Sequence, residues 1–303
     1  AETFADAGPA KSFAASLGGS CAVKADGLAL GKGVLICRSI SEANQAIEEI
    51  LLRKAFGTAG SQVVVQELLE GIEISMHALC DGRTARLFPV SQDHKRALDG
   101  DQGPNTGGMG TYAPAPFLSE TQRADVGRQI LEPWLKGCAE EGIDFCGVLY
   151  PGVMLTPVGP KVLEFNARFG DPETQVYLPL LENDLLELLD ASVSGTLKSV
   201  QIQWRPQHAV CVVMASGGYP GTYAKGKPIA GLADVAPLPN VKVFHAGTAL
   251  AGDQFITNGG RVLGVTAWAD TLAQARQAAY AAVEKIGFDG AQFRRDIAAK
   301  ALV

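Results

Sequence analysis

The run Leu163-Glu164-Phe165-Asn166-Ala167-Arg168 places a carboxylate, an amide and a guanidinium at every second position. In a strand, side chains two apart share a face, so Glu164, Asn166 and Arg168 form a row with Leu163, Phe165 and Ala167 behind it. A carboxylate and an amide oxygen are hard ligands that suit Mg²⁺. A guanidinium one step along holds a phosphate oxygen in its fork. Asp171-Pro172 offers a cap and a first-turn proline for a following helix. Two readings stay open from these residues alone: a metal–nucleotide site, or the wet face of a half-buried strand.

Three further segments carry chemistry. Lys24-Ala-Asp-Gly27-Leu-Ala-Leu-Gly31-Lys32-Gly33 fails as a phosphate-binding P-loop. That motif needs four residues before Gly-Lys, then Ser or Thr and a helix. Here three residues intervene, a glycine follows the lysine, and a strand follows that. The alternatives are a hairpin flap whose glycines and lysines close over ATP phosphates, or a plain hairpin with solvated lysines. Gln66-Glu67-Leu68-Leu69-Glu70-Gly71-Ile72-Glu73 leaves one strand and resumes as another; the alternatives are exposed backbone for an adenine edge with a carboxylate for ribose, or the strand–Glu–Gly–strand turn common in α/β proteins. The third segment joins Asp93-His94-Lys95-Arg96 to Asn105-Thr106-Gly107-Gly108. It makes a cradle for a phosphorylated, carboxylate-bearing small molecule, in which His94 binds but does not catalyse.

The elements that must position these residues are short strands and amphipathic helices mixed throughout, an α+β pattern. Helices are expected at 41–52 (with Ser41 as N-cap), 119–140, 184–192 and 272–286, and strands at 22–24, 34–37, 62–67, 72–79, 83–90, 209–214, 241–245 and 261–267. Residues 91–116 show no periodicity and read as one long functional or mobile loop. A change of character near 195–206 suggests two domains, 1–196 and 197–303, the first with subdomains of about 1–65 and 66–196.

At 303 residues with 47% hydrophobic and 19% charged content, the chain is globular rather than disordered. A net charge of −6 argues against nonspecific nucleic-acid binding. The six cysteines form no CxxC pair, which fits reduced thiols in a cytoplasmic protein. No apolar stretch reaches the length of a membrane span, and the start resembles no signal peptide. Neither nucleic acid nor membrane is therefore expected as a partner.

Taken together, these segments resemble phosphoribosylamine–glycine ligase, an ATP-grasp enzyme of purine biosynthesis. The resemblance continues through Gly217-Gly-Tyr-Pro-Gly221, Val243-Phe-His245-Ala-Gly-Thr248 and Thr257-Asn-Gly-Gly-Arg261, and so covers nearly the whole chain. It implies an ATP-grasp fold followed by a smaller α+β C-terminal domain. The implied reaction joins glycine to 5-phosphoribosylamine through glycyl phosphate, with ATP as co-substrate and Mg²⁺ or Mn²⁺ as metal. Carried onto matching positions, it makes Glu164 and Asn166 metal ligands, and Arg168 and Lys24 the catalytic phosphate contacts. Gly27, Gly31, Lys32, Gly33, Gln66, Glu67, Leu69 and Glu73 then serve ATP, with Glu73 on the ribose. Asp93, His94, Lys95, Arg96, Asn105, Thr106, Gly107, Gly108 and Asp171 face the other substrates, with no single role assigned.

Two departures matter. The family usually has Glu where this chain has Gln66, and another acid at Ile72. A glutamine oxygen can still accept from the adenine amino group. The family's N-terminal domain of about 100 residues, an ordinary domain length, and a lysine-bearing helix before the flap have no counterpart here. The chain is therefore expected to be a fragment, a processed product or one module, with a preceding domain as partner in cis or trans. The alternatives are an ATP-binding piece inactive alone, or another carboxylate–amine ligase of the same fold.

Overall fold

The computed structural model describes every residue except Leu28, Leu30, Gly31, Lys32 and Val303. The chain divides into two compact units, residues 1–70 and 71–303.

The first unit is an antiparallel four-stranded sheet covered by two helices. Its strand order is Glu2–Phe4, Val63–Glu67, Ser20–Ala25, Val34–Arg38. Helices Ala7–Ser16 and Ile40–Leu51 pack their alanines and isoleucines on Cys21, Val23, Val63 and Val65. Register sets Lys24 between Val34 and Val64, and Ala22 between Ile36 and Gln66, on the opposite sheet face. The second helix starts earlier than the sequence pattern suggests. Ser39, not Ser41, is its N-cap: Ser39 Oγ accepts the N–H of Glu42, whose carboxylate accepts the N–H of Arg38. Of the two serines, the one three residues before a glutamate forms the cap.

The second unit holds two five-stranded sheets. The long strand Cys146–Thr156 organises the first. Gly159–Asn166 lies along one edge, while Ile72–Ser75 and Ala78–Asp81 lie end to end along the other. Ala85–Leu87 completes the sheet beside Ala78–Asp81. Helix Glu120–Glu140 begins with a reciprocal capping box between Ser119 and Gln122.

The other sheet runs in the order Val241–His245, Arg261–Ala269, His208–Ala215, Gly110–Ala113, Gln92–Asp93. Two of its strands thus come from the tract expected to be one long loop. That expectation fails because the partner of Gly110–Ala113 lies about a hundred residues away: Thr111 pairs with Cys211 and Tyr112 with Val210. The pairing buries Met109, Tyr112 and Ala113 completely. Helix Leu272–Val283 packs against this sheet. All six cysteines are free thiols, five of them buried and Cys146 exposed. Among the described residues, no helix is long and apolar enough to cross a membrane.

Candidate active site

The strand Gly159–Asn166 carries the row read from the sequence, with one change. A bulge lies opposite Gly152 and Val153, because Gly152 pairs with Glu164 while Val153 pairs with Val162, leaving Leu163 as the extra residue. The alternation expected across Leu163, Phe165 and Ala167 therefore does not give a buried face: Phe165 is 45% exposed and Ala167 is exposed. The polar row survives. Asn166 Nδ2 donates to Glu164 Oε1 at 3.2 Å, and Arg168 Nη2 donates to Asn166 Oδ1 at 3.3 Å.

Register extends this row across the sheet. Glu164 and Ser75 both lie opposite Gly152, Asn166 opposite Tyr150, and Glu73 opposite Met154. These side chains share one face, and Gly152 leaves the space between Ser75 and Glu164 without a side chain. Lys95 joins them by an ion pair to Glu73. Burial opposes the charge of Lys95, but Glu73, Asp93 and Glu164 outweigh it and hold the ammonium above its ordinary range.

Asp93 Oδ1 is sealed from solvent without a hydrogen-bond partner among the described residues. Burial first, and then the Glu173 carboxylate, push the Asp93 carboxyl well above its ordinary value against the pull of Lys95. Thr106 closes the tract by donating both its N–H and its hydroxyl to Lys95 O, at 2.7 and 2.9 Å. The segments 93–96 and 105–108 are thereby brought together. His94 lies beneath them, buried. Its Nδ1 donates to Gly110 O at 3.1 Å, and Nε2 has no partner among the described residues. Burial and the charge of Arg294 lower its pKa to about 4, so the ring is neutral at pH 7.

Asp171 does not cap a helix as expected. The following helix is Thr174–Leu180, preceded by Glu173 in helical conformation. Asp171 Oδ1 instead accepts from Gln175 Nε2 at 2.9 Å, and Oδ2 pairs with Arg261 at 3.0 Å. Its carboxylate is already taken by two side-chain donors, so it is not free to close the helix end.

In the first unit, Gly27 and Gly33 have local structural reasons. A Cβ on Gly27 would lie 2.6 Å from Ala59 Cα, and one on Gly33 would lie 2.7 Å from Ala29 Cβ. Gly31 and Lys32 lie outside the described residues.

Sequence reasoning missed a buried polar cluster beneath the row. Glu173 Oε1 accepts from Tyr150 Oη at 2.6 Å and Ser75 Oγ at 2.9 Å. His77 stacks on Tyr150 with ring centroids 4.0 Å apart. A Cβ on Gly170 would lie 2.4 Å from Glu173 Oε2 and 2.7 Å from His77 Nε2, so a side chain there would displace one of these buried groups. The signal was present: Ser75 and His77 interrupt the apolar run Ile74 to Cys80, and polar residues in such a run need partners.

The donor set fits a divalent cation held jointly with phosphates. Glu164 and Asn166 supply one carboxylate and one amide oxygen, and no cluster of three His, Cys, Asp or Glu able to hold a metal exists among the described residues. Mg²⁺ is commonly bound in this way, through few protein oxygens plus substrate phosphates and water.

Comparison with known proteins gives the family. Residues 1–174 match the family model described as phosphoribosylglycinamide synthetase, ATP-grasp (A) domain, and 209–300 match the C domain of the same family. The chain is 48% identical over 299 residues to phosphoribosylamine–glycine ligase of Rhizobium meliloti, covering 99% of this chain and 70% of that protein. It is 50% identical over 303 residues to the Synechocystis enzyme of the same name, covering 99% of the chain and 71% of that protein. The crystal structure of phosphoribosylamine–glycine ligase from Thermotoga maritima superposes with a TM-score of 0.85 at 35% identity, over 98% of this chain and 73% of that one. A biotin carboxylase domain from Hydrogenobacter thermophilus shares the fold alone, with a TM-score of 0.72 at 18% identity over 95% of this chain and 61% of that one.

Fold and site together define an α+β ATP-grasp ligase. The chain belongs to the phosphoribosylglycinamide synthetase family, whose matched members are ATP-dependent phosphoribosylamine–glycine ligases of purine biosynthesis. The resemblance read from its motifs, the α+β fold class and the enzyme class are all borne out. ATP is accordingly a substrate.

Proposed function

We propose that the face carrying Glu73, Lys95, Glu164, Asn166 and Arg168 is where this chain activates glycine for ligation to 5-phosphoribosylamine. The observation that carries the reading is the polar row itself. Glu164, Asn166 and Arg168 are linked in series on one strand, with Lys95 held charged across the sheet by Glu73.

A glycine carboxylate oxygen attacks the γ-phosphorus of ATP, the bond to the β,γ-bridging oxygen breaks, and ADP leaves. The phosphoribosylamine nitrogen then attacks the acyl carbon of glycyl phosphate, and the C–O bond to phosphate breaks. No enzyme nucleophile is consumed, so the protein contributes orientation and charge. Glu164 and Asn166 would hold Mg²⁺ or Mn²⁺ against the phosphates, where it neutralises developing charge. Arg168 contacts a phosphate oxygen through its fork, and Lys95 adds a second fixed cation. Asp93, His94, Arg96, Asn105, Thr106, Gly107, Gly108 and Asp171 face glycine and phosphoribosylamine in this reading. Lys24, Gln66, Glu67 and Leu69 serve ATP.

The division into 1–196 and 197–303 belongs to the same proposal. It is supported by family matches that end at 174 and resume at 209. The test is initial-rate ADP release with each substrate omitted in turn. Release that requires glycine and phosphoribosylamine together supports the reading. ATP binding without ligation, or release that ignores either substrate, counts against it.

A further inference from the structure

Two residues of the C-terminal stretch reach into the candidate site, and the proposed reaction leaves them without a role. Arg261 opens the strand Arg261–Ala269 directly after Gly259-Gly260. Its Nη1 donates to Gly107 O at 2.6 Å and to Asp171 O at 2.7 Å, and its Nη2 donates to Asp171 Oδ2 at 3.0 Å. Tyr219 comes from the Gly217–Gly221 turn, and its Oη accepts the N–H of Gly107 at 3.0 Å. Gly107 is therefore gripped at both of its backbone groups, the N–H by Tyr219 and the C=O by Arg261.

Steric fit points the same way. A Cβ on Gly107 would lie 3.0 Å from Arg261 Cζ, and a Cβ on Gly260 would lie 2.3 Å from Tyr219 Cδ2. The Arg261 side chain is only 21% exposed, which makes its bonds less screened than those of a free surface arginine. Three directed bonds from one nitrogen pair require a planar fork; a lysine ammonium supplies charge without that geometry. The same guanidinium spans two segments, the 105–108 loop and Asp171, which stands three residues beyond Arg168.

We propose that Arg261 and Tyr219 form a clamp that fixes the 105–108 loop against Asp171, and that they are positioning residues for the substrates other than ATP. This inference rests on the reading that the loop faces glycine and phosphoribosylamine. The clamp sets where the Gly107 and Gly108 backbones stand, and displacements of about 1 Å at such distances cost on the order of 100-fold in rate.

The experiment compares Arg261→Lys, Arg261→Gln and Tyr219→Phe with the parent chain by hydrogen exchange and by steady-state kinetics. Expected are faster exchange at Gly107 to Met109 and a rise of about tenfold or more in KM for glycine and phosphoribosylamine, with KM for ATP unchanged. Arg261→Lys should not rescue, since it keeps the charge and loses the fork. Unchanged exchange in both the Arg261→Gln and Tyr219→Phe proteins overturns the clamp. Faster exchange with all three KM values unchanged overturns the substrate-facing reading of the loop, and the positioning role with it. A common shift in all three KM values marks a merely structural role and also overturns the proposal.

Discussion

Gly170 donates its backbone N–H to Nε2 of His77 at 3.2 Å. A nitrogen that accepts carries no proton, so the neutral ring is protonated on Nδ1, which faces Tyr177 Oη at 3.0 Å. Tyr177 Oη in turn meets Ser91 Oγ at 2.7 Å. A doubly protonated ring would turn Nε2 against the Gly170 donor. Burial, and secondarily the charge of Arg168, lower the His77 pKa to about 3.

Stability should therefore fall on acidification. Between the unfolded pKa of about 6.5 and the folded value, the unfolded chain binds a proton that the folded chain does not. The His77 contribution is complete above the unfolded value and declines as pH drops toward the folded one, by about 2 kcal/mol at pH 5. Urea denaturation at pH 7 and pH 5 checks this. His77→Gln should lower stability at pH 7 but lose less on going to pH 5 than the parent does. His94 and Asp93 titrate in both proteins and cancel in the comparison. Equal losses would place the acid sensitivity elsewhere.

Glu164→Gln and Asn166→Ala should reduce Mg²⁺-dependent ADP release by on the order of 100-fold or more, because each removes a hard ligand or its charge. Glu164 is exposed and both side chains lie at the end of an edge strand, so thermal midpoints should barely move. Turnover near the parent level at any magnesium concentration would show that the metal is held elsewhere.

The polar row was legible because period-two patterning survives in the strand that carries it, even with the bulge at Leu163. Helices Glu120–Glu140 and Leu272–Val283 were legible within a few residues of their ends, and the structure adds their caps, Ser119 and Thr271. The strand Gly110–Ala113 was not, since four residues give no periodicity and its partner strand begins at His208. Asp171 misled because local capping rules ignore Arg261, which arrives from ninety residues away and takes its carboxylate. His77 and Ser75 signalled only that polar residues in an apolar run need partners; which partners, among them Gly170, Tyr150 and Glu173, is settled only in the folded sheet.

Gly108→Ala should impair the site more than its size suggests. The residue adopts φ +111°, and a Cβ there would lie 2.5 Å from Pro172 Cδ and 2.7 Å from Asp93 Oδ1. Pro172 Cδ is fixed in its ring and the Asp93 carboxylate oxygen is sealed from solvent, so the loop or Asp93 must shift. The expected outcome is destabilisation by about 1–3 kcal/mol together with loss of glycine-dependent ADP release. Parent-like kinetics and an unchanged urea midpoint would show that the loop absorbs the methyl group at no cost.

Arg294 should prove the most costly arginine to remove. Its side chain is 0% exposed, and its Nε and Nη2 donate to Asp296 Oδ1 and Oδ2, each at 2.7 Å. Its Nη1 donates to Asp101 Oδ1 at 2.9 Å and to Arg96 O at 3.1 Å. Asp296 Oδ2 also accepts the N–H of Gly100 at 2.8 Å, so the pair staples the chain end to the turn joining Arg96–Leu98 to Gln102–Asn105. Arg294→Met removes the guanidinium from two carboxylates and a carbonyl, leaving Asp296 with the Gly100 N–H and Asp101 with Lys300. Because Asp101 is 39% and Asp296 25% exposed, water recovers part of that loss. The expected cost at pH 7 is about 2–4 kcal/mol, below the full penalty for breaking a sealed ion pair. Its pH dependence follows from the carboxylates. Burial works against the charged form of Asp296, but hydrogen bonds from Arg294 and Gly100 outweigh it and hold the pKa below its ordinary value. That contribution is present above the unfolded carboxylate range and is lost as pH falls toward the lowered folded value. In the Arg294→Met protein the carboxylates protonate more readily, so its deficit against the parent should narrow between pH 7 and pH 4. Paired denaturation curves at the two pH values measure this directly. A deficit under about 1 kcal/mol, within the range of ordinary surface substitutions and their neighbours, would show that the staple contributes little, and a deficit independent of pH would show that the carboxylates are not what Arg294 holds in place.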